Sequence, residues 1–260
     1  MLPGIILLSS CQSFPRGIQI TELDETFPTI EQFYSYYSMC RAVTKERETW
    51  RDTGWELDYF SHEPTNTLAL AVIEHGVLHM VFRSSQAPKQ EIDTRINYQF
   101  RPAPLFFTDN PSYKAHRGML SKYEGIYDDV HNRINSFAGE EILLIGHSAG
   151  GMVAYIAFFD IYHAYPELGV RLVTFGTPRV LTRNAAAQLR EAEDRIIRIV
   201  MGRDIFSSMP PAILGYRHVG TLVRMGDQPF WKPFSVSDHY PGYQHEFIRL
   251  YEEYRSSSSP

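Results

Sequence analysis

Cysteine is scarce in this chain, whose 260 residues include only Cys11 and Cys40. Two cysteines exclude a disulfide framework and cannot supply a cysteine-based metal site. The residues around Cys40 are typical of a small residue on an amphipathic helix and not of a reactive thiol. The sequence therefore predicts neither a stapled fold nor a metal centre.

Long basic runs and long apolar runs are also lacking. The formal net charge is −5 with no basic cluster, which argues against nucleic-acid binding. No run of about eighteen apolar residues is available for a transmembrane helix. Apolar residues make up 43% and charged residues 21%, as in an ordinary globular protein. We expect one domain over residues 21–255, followed by a polar tail over 256–260.

The first residues form a short apolar stretch that ends in Leu8-Ser-Ser-Cys11. This ending resembles the lipobox at which bacterial lipoproteins are cleaved and lipidated, although a basic segment and a longer apolar region usually precede it. Residues 1–20 fit an apolar N-terminal strand or arm equally well. The sequence thus leaves three locations open: a lipoprotein anchored through Cys11, a secreted protein and a soluble one.

Apolar periodicity predicts strands that alternate with helices. Helices are expected near residues 29–45, 116–137, 149–165, 185–193 and 245–254, and strands near 67–74, 77–82, 141–145, 170–175, 195–201 and 221–225. Residues 84–114 lack a clean period and read as a long loop with one short helix. This order predicts an α/β fold with a mainly parallel central sheet and helices on both faces.

A Gly-x-Ser-x-Gly pattern, Gly146-His-Ser148-Ala-Gly150, joins a predicted strand directly to a predicted helix. In a nucleophile elbow the serine occupies a strained turn, and glycines two residues away avoid collision. Ser148 is therefore the candidate nucleophile. The N–H of Ala149, at the start of the helix, is a candidate oxyanion donor.

An elbow serine needs a histidine base and a carboxylate, in the chain order Ser, Asp or Glu, His. Asp204 follows the predicted strand 195–201, and His239 lies in a Gly- and Pro-containing loop near the C-terminus. His218 reads as a structural histidine, and His245 is the reserve candidate for the base.

These residues belong to a set of motifs that resembles one family, the class 3 or fungal-lipase-like family of α/β-hydrolases. The blocks are Val81-Phe-Arg-Ser-Ser-Gln, Ala115-His-Arg-Gly-Met-Leu, Ile145-Gly-His-Ser-Ala-Gly-Gly, and Thr174-Phe-Gly-Thr-Pro-Arg-Val with Asp204, Pro210-Pro211 and Tyr216-x-His218-Val-Gly220. The resemblance spans about residues 67–243 and implies an α/β-hydrolase fold with a lid-like segment.

The resemblance also implies catalytic roles. It assigns the triad to Ser148, Asp204 and His239, and the second oxyanion donor to Ser85. Ser84 stands where the family has glycine. If that position requires a positive φ, Ser84 is strained or the loop is rebuilt.

The family's lid follows the Phe-Arg block, and apolar residues are frequent in this region of the chain. Ile96, Phe106 and Phe107 are candidates for an apolar lid surface over an acyl chain. An ordinary place in the core is an equally good interpretation of each of them.

Together these features predict a serine hydrolase that cleaves carboxylic esters of lipids through an acyl-enzyme, with no cofactor. The partner is a lipid or small ester, with peripheral contact to a lipid interface. Phospholipase A1, monoacylglycerol lipase and acyltransferase activities fit the same triad. Two non-enzymatic hypotheses also remain: a catalytically silent lipid- or protein-binding scaffold, and a lipid-anchored attachment protein.

Overall fold

The protein is described by a computed structural model that covers residues 17–44, 57–86, 91–227 and 233–258, with side chains as far as residue 256. Cys11 and the lipobox-like stretch lie outside the described residues, as does the end of the polar tail.

Twelve strands in the described residues form two sheets. They are β1 (Ile18–Gln19), β2 (Leu57–His62), β3 (Thr67–Glu74), β4 (Val77–Phe82), β5 (Pro102–Pro104), β6 (Lys114–His116), β7 (Glu141–His147), β8 (Gly169–Phe175), β9 (Leu181–Thr182), β10 (Ile196–Met201), β11 (Tyr216–Arg217) and β12 (Thr221–Met225). The large sheet has the order β1-β12-β10-β8-β7-β4-β3-β2. Its neighbours are parallel from β1 to β4, and the β2–β3–β4 edge is antiparallel.

Helices cover both faces of this sheet. They are α1 (Ile30–Ala42), α2 (Glu91–Asn97), α3 (Arg117–Glu124), α4 (Tyr127–Asn135), α5 (Ala149–Ala164), α6 (Arg183–Ala187) and α7 (Tyr243–Ser258). Thr29 caps α1 by accepting a hydrogen bond from the Gln32 N–H at 3.2 Å. In the described part of the chain, none of these helices has the length and hydropathy to cross a bilayer.

The alternation of side chains along the central strand β7 explains the two layers of core. Ile142 and Leu144 pack on one face with the residues of α3, α4 and α5. Leu143 and Ile145 pack on the other face with the residues of α1 and α7. Since a strand places successive side chains on opposite faces, a continuous apolar run is what a doubly covered strand requires. The expected fold class is therefore confirmed.

The single helix expected over residues 116–137 is wrong, because the structure has two helices, α3 and α4. Gly125 and Ile126 separate them, and Ile126 has φ −124° and ψ 10°. A side chain at Gly125 would place its Cβ 2.3 Å from Nδ1 of His62. The break lets the chain pass His62 closely, a contact between distant segments that periodicity does not reveal.

The region expected as a long loop, residues 84–114, is more ordered than predicted in its described part. It contains α2 and β5, and β5 belongs to a second sheet of order β11-β9-β6-β5. Its strands have two or three residues each, too short for an alternation of side chains to be recognised. The helix α2 packs on α3, where a Cβ at Gly118 would lie 2.1 Å from the Ile96 carbonyl oxygen.

Candidate active site

Ser148 occupies the sharp turn between β7 and α5. Its backbone has φ 55° and ψ −126°, a region that costs free energy for a residue with a Cβ. A hydrogen bond from the Ser148 N–H to the Phe175 carbonyl at 2.9 Å holds the turn against the end of β8. The strand, turn and helix therefore have the arrangement of a nucleophile elbow.

Gly146 and Gly150 allow this turn to be compact. A Cβ at Gly146 would lie 2.5 Å from the carbonyl carbon of Gly150, and one at Gly150 would lie 2.2 Å from the Phe82 carbonyl oxygen. Both atoms are backbone and cannot move aside. The glycines thus bring the start of α5 against the end of β4, where the loop that contains Ser85 begins.

Ser148, His239 and Asp204 form a continuous hydrogen-bonded chain. Nε2 of His239 lies 2.8 Å from the Ser148 Oγ, and Nδ1 lies 2.8 Å from the Asp204 Oδ2. Asp204 is 1% exposed and His239 is 8% exposed. The other carboxylate oxygen of Asp204 accepts the Phe206 N–H at 2.9 Å. The imidazole is therefore oriented to accept the serine proton while its other nitrogen donates to the carboxylate.

Tyr243, at the start of α7, also contacts the carboxylate. Its hydroxyl donates to the Asp204 Oδ2 at 3.1 Å and accepts from the Met201 N–H at 2.9 Å. Burial and the Asp204 charge raise the pKa of the Tyr243 phenol well above its usual range, so the group keeps its proton. Nothing in the sequence marks Tyr243, because one tyrosine among sixteen carries no pattern that points to Asp204.

His147 supports the imidazole from its side. Its ring stacks on that of His239 with centroids 4.9 Å apart and an interplanar angle of 27°. Burial, followed by the charge of His239, lowers the pKa of His147 to about 3. His147 is therefore neutral at physiological pH and packs against the His239 ring without charge repulsion.

The two expected oxyanion donors face the same cavity. Ala149 is the first residue of α5 and Ser85 lies on the loop after β4, and both line the cavity beside Ser148. The Ser85 Oγ accepts a hydrogen bond from Asn97 Nδ2 at 2.9 Å. A positive φ occurs at three non-glycine residues in the described part of the chain, and Ser84 is not one of them. The replacement of the family glycine by Ser84 therefore introduces no left-handed strain.

A buried ion pair anchors the loop that contains Ser85. Asp93 of α2 is 1% exposed and accepts the Gln86 N–H at 2.8 Å. The same oxygen, Oδ2, accepts a hydrogen bond from Asn66 Nδ2 at 3.0 Å. The other oxygen, Oδ1, lies 2.7 Å from Nζ of Lys122 on α3. The Asp93 carboxylate thus joins the loop, α2 and α3, in a network that no local sequence pattern indicates.

Ser148 opens into a cavity of about 870 Å³ at the C-terminal edge of the large sheet. The lining includes Tyr37, Cys40, Arg41, Ser84, Ser85, Asn97, Tyr98, Phe100, Met119, His147, Ser148, Ala149, Met152, Pro178, Phe206, Met209, His239 and Tyr240. Most of these side chains are apolar or aromatic. In the described residues, no group of three or more His, Cys, Asp or Glu side chains is placed to hold a metal ion.

The structure corrects the expectation for the lid residues, since Ile96, Phe106 and Phe107 are absent from the cavity lining. Ile96 is 4% exposed in the core between α2 and α3. Phe106 and Phe107 contact Tyr123 and Tyr127, with ring centroids 5.1 to 6.3 Å apart. The core interpretation therefore holds for Ile96 and Phe107, whereas Phe106 is 41% exposed.

His218, His245 and Cys40 lie outside the hydrogen-bonded chain of Ser148, His239 and Asp204. Nε2 of His218 donates to the Ser207 carbonyl at 2.8 Å, a structural contact. His245 is exposed on α7 and does not line the cavity. Cys40 is free and buried, and burial raises the pKa of its thiol, as expected of an unreactive core cysteine.

Known proteins resemble this chain in both sequence and structure. A lipase of Rhizopus niveus is 26% identical over 239 residues, which are 84% of this chain and 59% of that protein. The chain therefore spans about three fifths of the length of the curated Rhizopus relatives it matches. A secreted mono- and diacylglycerol lipase of Malassezia globosa is 30% identical over 42% of this chain and 38% of its own length.

Solved structures of fungal lipases share the fold. A fungal lipase–inhibitor complex superposes with a TM-score of 0.72 at 20% identity, over 84% of this chain and 95% of that one. The triacylglyceride lipase of Rhizomucor miehei gives a TM-score of 0.66 at 19% identity, over 80% of this chain and 92% of that one.

A family model with the description "Lipase (class 3)" matches residues 79–214, more than half of the chain. That range contains the Phe-Arg block, the elbow around Ser148 and Asp204. The protein belongs to the class 3 lipase family of α/β-hydrolases.

Proposed function

We propose that this protein hydrolyses carboxylic esters of lipids through an acyl-enzyme formed on Ser148. The observation that carries the proposal is the chain of two 2.8 Å hydrogen bonds through His239, which begins at Asp204 and ends at the Ser148 Oγ on the cavity wall. A serine hydroxyl is a weak nucleophile until a positioned base takes its proton. The arrangement supplies that base and fixes its orientation.

The first half of the reaction is acyl transfer to the enzyme. Nε2 of His239 takes the Ser148 proton as Oγ attacks the ester carbonyl, and the negative charge moves to the carbonyl oxygen. The Ala149 N–H at the start of α5 and a donor of Ser85 stabilise that oxyanion, aided by the helix dipole. His239 then protonates the departing alcohol, which leaves the acyl group bonded to Oγ.

The second half uses water as the nucleophile. His239 removes a proton from water, which attacks the acyl carbon and forms a second oxyanion at the same donors. Collapse of this intermediate returns the proton to Ser148 and releases the carboxylic acid. The carboxylate of Asp204 keeps the imidazole in place throughout and stabilises its positive charge.

The cavity and its rim support a lipid substrate. Phe100, Met119 and Met152 give the wall an apolar surface for an acyl chain. At the rim, Tyr98 is 71% exposed and Tyr240 is 62% exposed. Aromatic side chains with a polar tip suit a lipid–water boundary, so this rim supports peripheral contact with a lipid surface.

The names of relatives support an extracellular place of action, since mono- and diacylglycerol lipases of Malassezia globosa and Fusarium solani are called secreted. Lipidation of Cys11 stays a prediction. Mass spectrometry of the mature N-terminus distinguishes a cleaved secreted chain from one that begins at an acylated Cys11.

The proposal predicts that Ser148→Ala abolishes both hydrolysis of a short p-nitrophenyl ester and labelling by a fluorophosphonate probe. We expect a loss of at least about 10³-fold, because the nucleophile itself is removed. Ser112→Ala, at an exposed serine, is the matched control and should retain full labelling. Activity in Ser148→Ala equal to wild type would refute the proposal, and a wild-type enzyme that the probe never labels would favour the silent scaffold.

A further inference from the structure

A permanently charged side chain, that of Arg41, lines the cavity. Among the described lining residues, Arg41 is the only lysine, arginine, aspartate or glutamate. It lies in the last turn of α1 and is half-buried. Placing a guanidinium on a largely apolar wall carries a desolvation cost, and the charge gives this part of the wall a preference for anions.

A neutral group holds Arg41 in place. Its Nη1 donates a hydrogen bond to the Gln244 Oε1 at the start of α7. None of the ion pairs between described residues includes Arg41. A guanidinium has five N–H donors in a fork that matches a phosphate or carboxylate. Among the described residues, this hydrogen bond to Gln244 leaves other N–H donors of the guanidinium for an anionic ligand.

The two ends of the cavity differ in chemistry. Met119 of α3 and Met152 of α5 belong to the core on one face of the large sheet. Tyr37 of α1 belongs to the core on the opposite face, and Arg41 follows it one turn later on the same helix. Both pairs line the same cavity. Ser148, on the turn after β7, therefore lies between an apolar end and a positively charged end.

His239 belongs to the charged end. Its ring stacks on His147, and the ring of Tyr37 contacts His147 edge-on with centroids 5.8 Å apart. The charge of Arg41 also contributes to the low pKa of His147, after burial and His239. A general acid must reach the oxygen that it protonates. The alcohol half of an ester must therefore leave on the His239 side, where Arg41 lies.

We propose that Arg41 binds a negatively charged group on the alcohol half of the substrate. The favoured esters are then acyl derivatives of an anionic alcohol such as a glycerol phosphate, with the acyl chain at the Met119 and Met152 end. This inference rests on the proposed function, because it uses the same cavity and the same attack by Ser148. It adds a substrate class that the triad alone does not select.

The test compares two esters that differ only in the anionic group, 1-octanoylglycerol 3-phosphate and 1-octanoylglycerol, at concentrations below aggregation. In the wild-type enzyme we expect kcat/KM to be about tenfold higher for the phosphorylated ester, mainly through a lower KM. One partly solvent-screened, charge-assisted hydrogen bond has an effect of this size. Added salt should raise the KM of the phosphorylated ester, because it screens the charge of Arg41.

Three variants locate the effect. Arg41→Gln should lower the ratio of the two kcat/KM values about tenfold, and Arg41→Lys should restore part of it because the charge remains. Arg171→Gln is the matched control for loss of one arginine charge. Arg171 is exposed and pairs with Glu141 at the start of β7, the end of the strand away from Ser148. The Arg171→Gln variant should keep the wild-type ratio of the two kcat/KM values.

A wild-type enzyme without preference for the phosphorylated ester, or an Arg41→Gln variant with the wild-type ratio, would overturn the inference. Inhibition supplies a readout that needs no variant: glycerol 3-phosphate should compete with 1-octanoylglycerol, and glycerol should not. Equal inhibition by inorganic phosphate would overturn the assignment to the alcohol half. If the wild type hydrolyses neither ester, the proposed function itself has failed, an outcome distinct from hydrolysis of both at equal rates.

Discussion

Acidification from pH 7 to pH 5 should destabilise the protein through His116, whose neutral form is built into the structure. His116 is 1% exposed, and burial lowers its pKa to about 4 from the usual 6.5. Nε2 donates to the Asn97 carbonyl at 3.2 Å, while Nδ1 accepts the Met119 N–H at 3.4 Å. A proton on Nδ1 would face that N–H, so the charged ring has no acceptor there.

The sign and size follow from proton linkage. In the unfolded chain the ring takes up its proton near pH 6.5, whereas in the folded protein it does so only near pH 4. Between these values the unfolded state binds more protons, so stability falls as the pH falls. For these two pKa values the free energy of unfolding should drop by about 2 kcal/mol between pH 7 and pH 5 through His116 alone.

Urea unfolding followed by circular dichroism at pH 7 and pH 5 measures this drop. We compare the wild type with His116→Gln and with His245→Gln, an exposed control on α7. His147 and His218 also have lowered pKa values, but they contribute equally in all three proteins. The pH-dependent loss should therefore be about 2 kcal/mol smaller in His116→Gln than in the other two.

An equal loss in His116→Gln and wild type would refute this reasoning. A direct NMR titration of the His116 ring in the wild-type protein is an independent measure. A midpoint near 6.5 would contradict the lowered pKa, whatever the stability of the variant.

Two further predictions concern the groups that position the candidate site. Tyr243→Phe should lower kcat about tenfold with little change in KM, and should lower the free energy of unfolding by about 1–3 kcal/mol, because Asp204 and the Met201 N–H each lose a buried partner. Steady-state kinetics measure the first effect and urea unfolding the second. An unchanged kcat would contradict a positioning role. Lys122→Met should destabilise the protein by about 3–5 kcal/mol because the Asp93 carboxylate stays buried without its cation. Lys122→Met/Asp93→Asn, which removes the charge and keeps an acceptor for the Gln86 N–H, should recover much of that loss in urea unfolding. A double variant less stable than the single one would contradict the ion-pair account.

Local signals in the sequence were sufficient for the regular part of the fold. The strands expected at 67–74 and 77–82 coincide with β3 and β4, and the helix capped by Thr29 is present as α1. These elements have long periodic patterns, and their turn and cap residues are adjacent in the chain. The parallel sheet followed from their alternation and is present in the structure.

Where the prediction was wrong, distant contacts override the local pattern. Periodicity continues through Gly125, but the close approach of His62 divides the expected helix there. Ile96 and Phe107 have the composition of a lid surface, yet they pack in the core against α3 and its neighbours. Composition specifies that a side chain is apolar, and only packing specifies which apolar surface it covers.

The residues by themselves determined the candidate chemistry. The elbow glycines around Ser148, the chain order of Asp204 and His239, and the motif blocks required no coordinates, because each is a local sequence feature or an order along the chain. Only the tertiary structure decided the surroundings of that chemistry. Tyr243 on Asp204, Asp93 between the Ser85 loop and Lys122, and Arg41 at the His239 end of the cavity are contacts between segments far apart in the chain. Such contacts leave no periodic trace in a single sequence, since they depend on where the folded sheet brings the ends of its strands and helices together.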